Sequence, residues 1–203
     1  MEQIQNKLKI FTLKELLSLY EENRVENLLK TFQNNNNEDV ESFLQKKSIL
    51  STKKSQSMTH LIFSEDERYL VGYFTLTIKP ISIVQDVFDN FSRKTRNKIL
   101  RIAKLDKDTN SYALSAYLIA QLGKNLNIPK EYQISGHQIM EIIFHTIQKA
   151  QDIVGGTVCF VEAEPHKKLL DFYESEGFYK FANTQPNSAQ THSEELIQLL
   201  AIL

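Results

Sequence analysis

One cysteine, Cys159, occurs in the 203-residue chain, so an internal disulfide framework and a cysteine-rich zinc site are both excluded. No apolar run approaches the roughly 20 residues that a membrane-spanning helix needs. Met1–Lys9 alternates polar and apolar types with no apolar core of a signal peptide. The expectation is a cytoplasmic chain without a membrane partner. Neither sign of charge prevails, since 24 Lys and Arg against 25 Asp and Glu leave −1. That argues against a surface that attracts nucleic acid as a whole and leaves room for a local basic patch. His60, His137, His145, His166 and His192 are scattered. None has the His-x-x-x-His spacing with a carboxylate between that binds zinc, so no metal is expected. What is present suits a globular protein: 41% hydrophobic and 24% charged residues can fill a core and are too apolar for disorder.

Hydropathy period sets the elements. Residues 12–32 read as helix: Thr12 and Glu15 have capping-box spacing, and Val25, Leu28, Leu29 and Phe32 recur at i, i+3, i+4 and i+7. Asn34–Asn37 is a polar break, after which Val40, Phe43 and Leu44 suggest another helix of about three turns. This helical N-terminal part, residues 1–50, reads as a cover packed on a sheet by its apolar face. Thr59–Ser64 and Tyr69–Ile78 read as an antiparallel hairpin across the charged turn Glu65-Asp66-Glu67. Pro80 is expected to end that ladder, because it has no N–H to donate. Residues 83–110 read as a helical, basic insertion of one or two helices. Within 93–107, Arg93, Lys94, Arg96, Lys98, Arg101, Lys104 and Lys107 are opposed by Asp106 alone. They read as a solvated face, with contact to RNA through 93–107 or to an acidic partner as the alternative.

Tyr112–Leu122 is strand-like, Gly123–Tyr132 is a loop containing Pro129, and Gly136–Ala150 is an apolar helix (Ile139, Met140, Ile142, Ile143, Ile147) that ends near Gly155-Gly156. Thr157–Ala163 is a strand in which Cys159 reads as a buried, inert thiol. Pro165 is placed in the first turn of the next helix, with Leu169, Leu170 and Tyr173 on one face and Gly177 just past its end. Phe178–Ala182 and Leu196–Leu203 make a last strand pair around the polar loop Asn183–Ser193. The final strand is apolar on both faces except at Gln198, which predicts a central place in the sheet.

Two stretches carry chemistry. The loop entering the apolar helix reads Gln133-Ile134-Ser135-Gly136-His137-Gln138. A helix N-terminus offers unpaired N–H groups and the positive end of the dipole, and a glycine lets an anion come close to the backbone. A glycine there is also the ordinary residue of a turn. The second stretch is Phe172-Tyr173-Glu174-Ser175-Glu176-Gly177-Phe178. Together, over about residues 59–203, they resemble the GNAT superfamily of N-acetyltransferases. That family's later signature, Phe-Tyr-x-x-x-Gly-Phe, is matched in full. Its acetyl-CoA loop, (Gln/Arg)-x-x-Gly-x-(Gly/Ala), is matched at Gln133 and Gly136 and departs at Gln138.

The resemblance implies one GNAT-like domain over residues 1–203 with an α/β (α+β) fold. The sheet would be mixed and mostly antiparallel, with one splayed parallel strand pair, flanking helices and a helical N-terminus. It implies acetyl-CoA as cosubstrate and no metal. Ala120, Gln121 and Leu122 would bond the pantetheine arm, and the loop Gln133, Ile134, Ser135, Gly136, His137 and Gln138 would hold the pyrophosphate through backbone N–H groups. Tyr173 would stand near the thioester sulfur and protonate the departing thiolate; a core aromatic on an amphipathic helix is its alternative reading. Glu162 and Glu164 lie on or just after a strand, and Glu162 is the catalytic candidate for the base, although such carboxylates are commonly just solvated. The expected activity is direct acetyl transfer to a primary amine of an unidentified acceptor. Toxin-like acetylation of the amino acid on charged tRNA and a non-catalytic acyl-CoA-binding module are the alternatives. The expected partners are acetyl-CoA and the amine acceptor, and a homodimer stays open.

Overall fold

The computed structural model describes residues 8–183 and 196–203, so most of the loop Asn183–Ser193, including His192, lies outside the described residues. In chain order the elements are β1 (Leu8–Thr12), α1 (Leu13–Leu19), α2 (Glu22–Leu29), α3 (Glu38–Ser42), a π-helical stretch (Phe43–Lys47) and α4 (Ser48–Lys53). β2 (Met58–Ser64), β3 (Leu70–Val84), α5 (Gln85–Asn90), α6 (Arg93–Ile102), β4 (Leu105–Asp106) and β5 (Ser111–Lys124) follow. A 3₁₀ turn (Lys130–Tyr132), α7 (Gly136–Val154), β6 (Val158–Ala163), α8 (Lys167–Ser175), β7 (Tyr179–Asn183) and β8 (Ile197–Ile202) complete it.

The strands form an eight-stranded mixed sheet in the order β1-β2-β3-β5-β6-β8-β7, with β4 on β5. Its parallel pair is β5–β6; the ladders β1–β2, β2–β3, β4–β5, β6–β8 and β7–β8 are antiparallel. β8 lies between β6 and β7, the interior place that its apolar faces predict, and Leu199, Leu200 and Ala201 are buried.

The chain packs as two compact units. One contains the residues up to Thr77 with Ala120–Gln148; the other contains Ile78–Ile119 with the described residues from Lys149 on. The first is built on a core of Leu13, Leu16, Val25, Leu29, Phe32, Val40, Leu44, Leu61, Phe63, Leu70 and Tyr73. Each large apolar side chain buried there contributes about 1.5–3 kcal/mol. The helix expected over 12–32 is instead a strand end and two helices. Thr12 closes β1 and caps α1 through the foreseen box, Thr12 Oγ1 accepting from Glu15 N (3.1 Å) and Glu15 Oε2 accepting from Thr12 N (2.6 Å). Tyr20 then turns extended and separates α1 from α2. The reason is geometric. In one straight helix Leu16 and Val25 would point about 180° apart, yet both are buried in this core.

In the second unit the stretch 83–110 holds α5 and α6, and β4 interrupts its helical character at Leu105–Asp106. Ser92 caps α6, its side chain accepting from Thr95 N. Pro80 does not end β3, which runs on to Val84. The β2 ladder has already stopped at Met58↔Leu76, so on that side Pro80 withholds no ladder bond. Pro165 falls outside α8, immediately before its N-cap His166.

Candidate functional site

In the first unit, Ile134 is buried and anchors the loop before α7. Gly72 makes the room: a Cβ there would meet Gly123 O at 3.0 Å, Ile134 Cδ1 at 3.2 Å and Ile139 Cδ1 at 3.3 Å. Gly123 is equally enforced, since a Cβ on it would run into Val40 Cγ1 and Phe32. Gln133 is tied to the loop itself, its Nε2 donating to Ile128 O at 3.2 Å. Ile139, Met140, Ile142, Ile143 and Ile147 are all buried, as the helix period predicts.

The departure at Gln138 has a physical role. Gln138 Oε1 accepts from Ser135 N (2.8 Å) and Ser135 Oγ accepts from Gln138 N (3.2 Å), a reciprocal capping box at the start of α7. The N–H groups of Ser135 and Gln138 are bonded within the loop. An anion there must displace the Gln138 side chain or use the remaining N–H groups.

Ala120, Gln121 and Leu122 are half-exposed at the end of β5, and Gln121 Nε2 reaches Asp39 Oδ2 at 3.3 Å. Sequence reasoning missed the residue that holds this strand end. Asn125 is 1% exposed and its amide is fully used. Nδ2 donates to Leu70 O (2.8 Å) and Thr31 O (3.1 Å), while Oδ1 accepts from Asn127 N (3.0 Å) and Gln33 N (3.1 Å). An asparagine in a polar loop carries no sequence signal for such a clamp.

In the second unit, the β5–β6 ladder consists of Tyr117↔Cys159 and Leu118↔Phe160. Tyr117 donates its hydroxyl to Gly155 O, and Gly155 and Gly156 take positive φ (74° and 97°) in the turn after α7. A Cβ on Gly156 would press on the Tyr117 ring at 3.0 Å. Cys159 is fully buried, and burial pushes its thiol up to about 12, which leaves it inert.

The Tyr173 stretch is built by the end of α8. Phe178 N donates to Tyr173 O and Gly177 N to Glu174 O, both at 3.0 Å, with Gly177 at φ 86°. This is a Schellman motif, whose usual apolar contact joins Tyr173 to Phe178, here edge-to-face at 5.6 Å. The Phe172 ring lies against Tyr173 too, tilted, at 5.2 Å. Tyr173 is 7% exposed, and burial raises its phenol to about 12. Its hydroxyl has no hydrogen-bond partner among the described residues. Glu162, on β6, accepts at Oε1 from Gln198 Nε2 (2.8 Å) and Lys79 Nζ (3.1 Å). Glu164 lies 3.4 Å from the exposed His166 ring.

On α6, Lys98 donates to Ile202 O at 3.1 Å. Arg93, Lys94, Arg96, Arg101, Lys104 and Lys107 make no ion pair among the described residues. Asp106 makes no ion pair with them among the described residues; its carboxylate accepts from Asp108 N (2.9 Å) and Thr109 N (3.4 Å). Those bonds hold its carboxyl below the usual range. Among the described residues there is no cluster of three or more His, Cys, Asp or Glu able to hold a metal ion, and no helix long and apolar enough to cross a membrane.

The strand order, the parallel β5–β6 pair and the helices before and after β6 are those of a GNAT-like fold. No family model and no curated protein matches the sequence. Among solved structures, the fold is shared with a tyrosine-to-phenylalanine mutant of the toxin AtaT (TM-score 0.61, 16% identity, 97% of this chain and 90% of that one). It is shared with AtaT complexed with acetyl-methionyl-tRNAfMet (TM-score 0.59, 18% identity, 94% and 93%). A tyrosine-to-phenylalanine mutant of KacT also matches (TM-score 0.61, 17% identity, 95% of each chain).

Proposed function

We propose that this chain is an acetyl-CoA-dependent N-acetyltransferase that transfers the acetyl group directly to a primary amine. The observation that carries the reading is Tyr173: a neutral phenol fixed by a Schellman motif and two rings, in a GNAT fold. AtaT has been solved with acetyl-CoA, which supports the cosubstrate. Acetyl-CoA would use the α7 N-terminus for its pyrophosphate and the end of β5, Ala120 to Leu122, for its pantetheine arm.

The acceptor loses one ammonium proton to Glu162, directly or through water. The nitrogen pair attacks the thioester carbon, forming C–N, and the C–S bond then breaks. Tyr173 stabilises the charge growing on sulfur. A phenol at about 12 is a weaker acid than an ordinary thiol near 8.5, so transfer to a finished thiolate would be uphill by about 5 kcal/mol. Tyr173 therefore acts as a hydrogen-bond donor first. It passes its proton as the bond breaks and takes one back from the nitrogen that becomes the amide. Glu162 returns its proton to water.

The acceptor we favour is an α-amine. At pH 7 a lysine side chain is only about 0.04% neutral, against roughly 10% for an α-amino group. A second reading, the amino acid of a charged tRNA, is favoured by the unpaired cations of α6 and by the AtaT complex with acetyl-methionyl-tRNAfMet. The test is transfer of labelled acetyl from acetyl-CoA to a cell extract, with the product sorted into protein, RNA and small molecules. Label in the RNA fraction that mild alkali releases as acetyl-amino acid supports the second reading. Binding of acetyl-CoA without label transfer would leave a binding module and refute the enzyme.

A further inference from the structure

The two oxygens of Glu162 are unequally used. Oε1 takes both the Gln198 amide at 2.8 Å and the Lys79 ammonium at 3.1 Å, while Oε2 has no partner among the described residues. The three side chains come from β3, β6 and β8. Glu162 and Gln198 stand directly opposite each other in the β6–β8 ladder, where cross-strand side chains are held about 5 Å apart at Cβ. Gln198 is the one polar residue in Ile197–Ile202, a strand where every other side chain is apolar. Its amide is spent on one carboxylate oxygen. A carboxylate turns easily about its last torsion, so a lone glutamate would offer either oxygen in many orientations. Two donors converging on Oε1 remove that freedom.

We infer that Gln198 is a positioning residue for the general base: with Lys79 it fixes the Glu162 carboxylate so that Oε2 is the oxygen that receives the acceptor's proton. The inference rests on the acetyltransferase reading above. In the step, an N–H bond of the ammonium breaks, an Oε2–H bond forms, and the electron pair left on nitrogen attacks the thioester carbon. A neutral amide suits the task, because a second cation on the same oxygen would hold the proton-accepting form more tightly than a base requires.

The test is a double-mutant cycle in the full chain, with acetyl transfer and acetyl-CoA affinity read separately. Gln198→Met keeps length and apolar volume and removes the donor. The expected result is a roughly 10- to 100-fold lower kcat, the scale of a misaimed catalytic group, with unchanged KM for acetyl-CoA. Glu162→Gln/Gln198→Met should be no slower than Glu162→Gln alone, because Gln198 acts only through Glu162. Gln198→Leu carries the same expectations if the methionine chain fails to fold. Wild-type kcat in a folded Gln198 variant, wild-type kcat in Glu162→Gln, or a double variant slowed by the full product of the two single losses overturns the positioning role and leaves the acetyltransferase standing. A wild-type chain that binds acetyl-CoA and transfers no acetyl group overturns both.

Discussion

Tyr173→Phe separates a catalytic phenol from a core aromatic. The substitution keeps the ring against Phe172 and Phe178, at 5.2 and 5.6 Å, and keeps the Schellman bonds, which are made by backbone. The hydroxyl has no hydrogen-bond partner among the described residues, so its loss strands no buried donor or acceptor, the event that costs 1–3 kcal/mol elsewhere. Stability should therefore stay within about 0.5 kcal/mol, or roughly 2 °C in Tm for a chain of this size. Alanine would instead empty a buried site and cost about 3–5 kcal/mol, which is why phenylalanine is the informative change. Turnover should fall about 10²- to 10⁴-fold, equivalent to about 2.7–5.4 kcal/mol of transition-state stabilisation. Acetyl-CoA affinity should hold. The phenol donates only while protonated, and burial raises it to about 12, so Tyr173 gives no alkaline loss of activity around pH 10. The unfolded phenol ionises near 10, so the stability it contributes when neutral is intact below pH 10 and lost as pH rises toward 12; Tyr173→Phe removes that loss. Single-turnover transfer of labelled acetyl, beside a melting curve, reads both quantities. Wild-type turnover in a folded Tyr173→Phe chain would refute the reasoning.

Gly136→Asp should leave the fold intact or slightly firmer, since a carboxylate in the first turn of α7 gains about 0.3–1 kcal/mol from the helix dipole; the same charge should abolish the rise in Tm that CoA produces, and undiminished CoA binding would reject the loop as the pyrophosphate site. Asn125→Ala removes four hydrogen bonds at 1% exposure and orphans backbone groups of Thr31, Gln33, Leu70 and Asn127, so urea unfolding should show a loss of about 2–5 kcal/mol. A loss under 1 kcal/mol would mean that water replaces the clamp. His60 stacks on Phe74 at 4.7 Å, and burial lowers its pKa from 6.5 to about 4. The unfolded chain therefore takes the proton first: the contribution is whole above pH 6.5 and falls by about 3 kcal/mol on acidification to pH 4. The urea midpoint of His60→Phe should lack that part of the acid dependence, and parallel pH curves for the two chains would contradict the assignment.

Features that close within a few residues were legible in the amino-acid sequence. The Thr12–Glu15 box, the five-residue apolar face of α7 and the Tyr173–Gly177–Phe178 helix end each depend on contacts three to five positions apart, so local chemistry decides them. The GNAT resemblance rested on such a stretch. Where a choice depended on a distant partner, sequence reasoning went another way. A continuous helix over 12–32 satisfies the local period, but the core needs Leu16 and Val25 on one side, and the chain breaks at Tyr20. Pro80 is a ladder breaker until the early end of β2 is known. Gln138 reads as a gap in a motif until Ser135 is seen bonded to it.

By itself, then, the sequence determined the Thr12–Glu15 cap, the apolar face of α7 and the helix end at Gly177, because these follow from spacing along one segment. Tertiary structure alone decided what surrounds them. Lys79 and Glu162 are 83 positions apart and Glu162 and Gln198 are 36; Asn125 reaches back 94 positions to Thr31. Such contacts form only after strands distant in sequence have paired in register, and register is a property of the sheet, which no single segment contains.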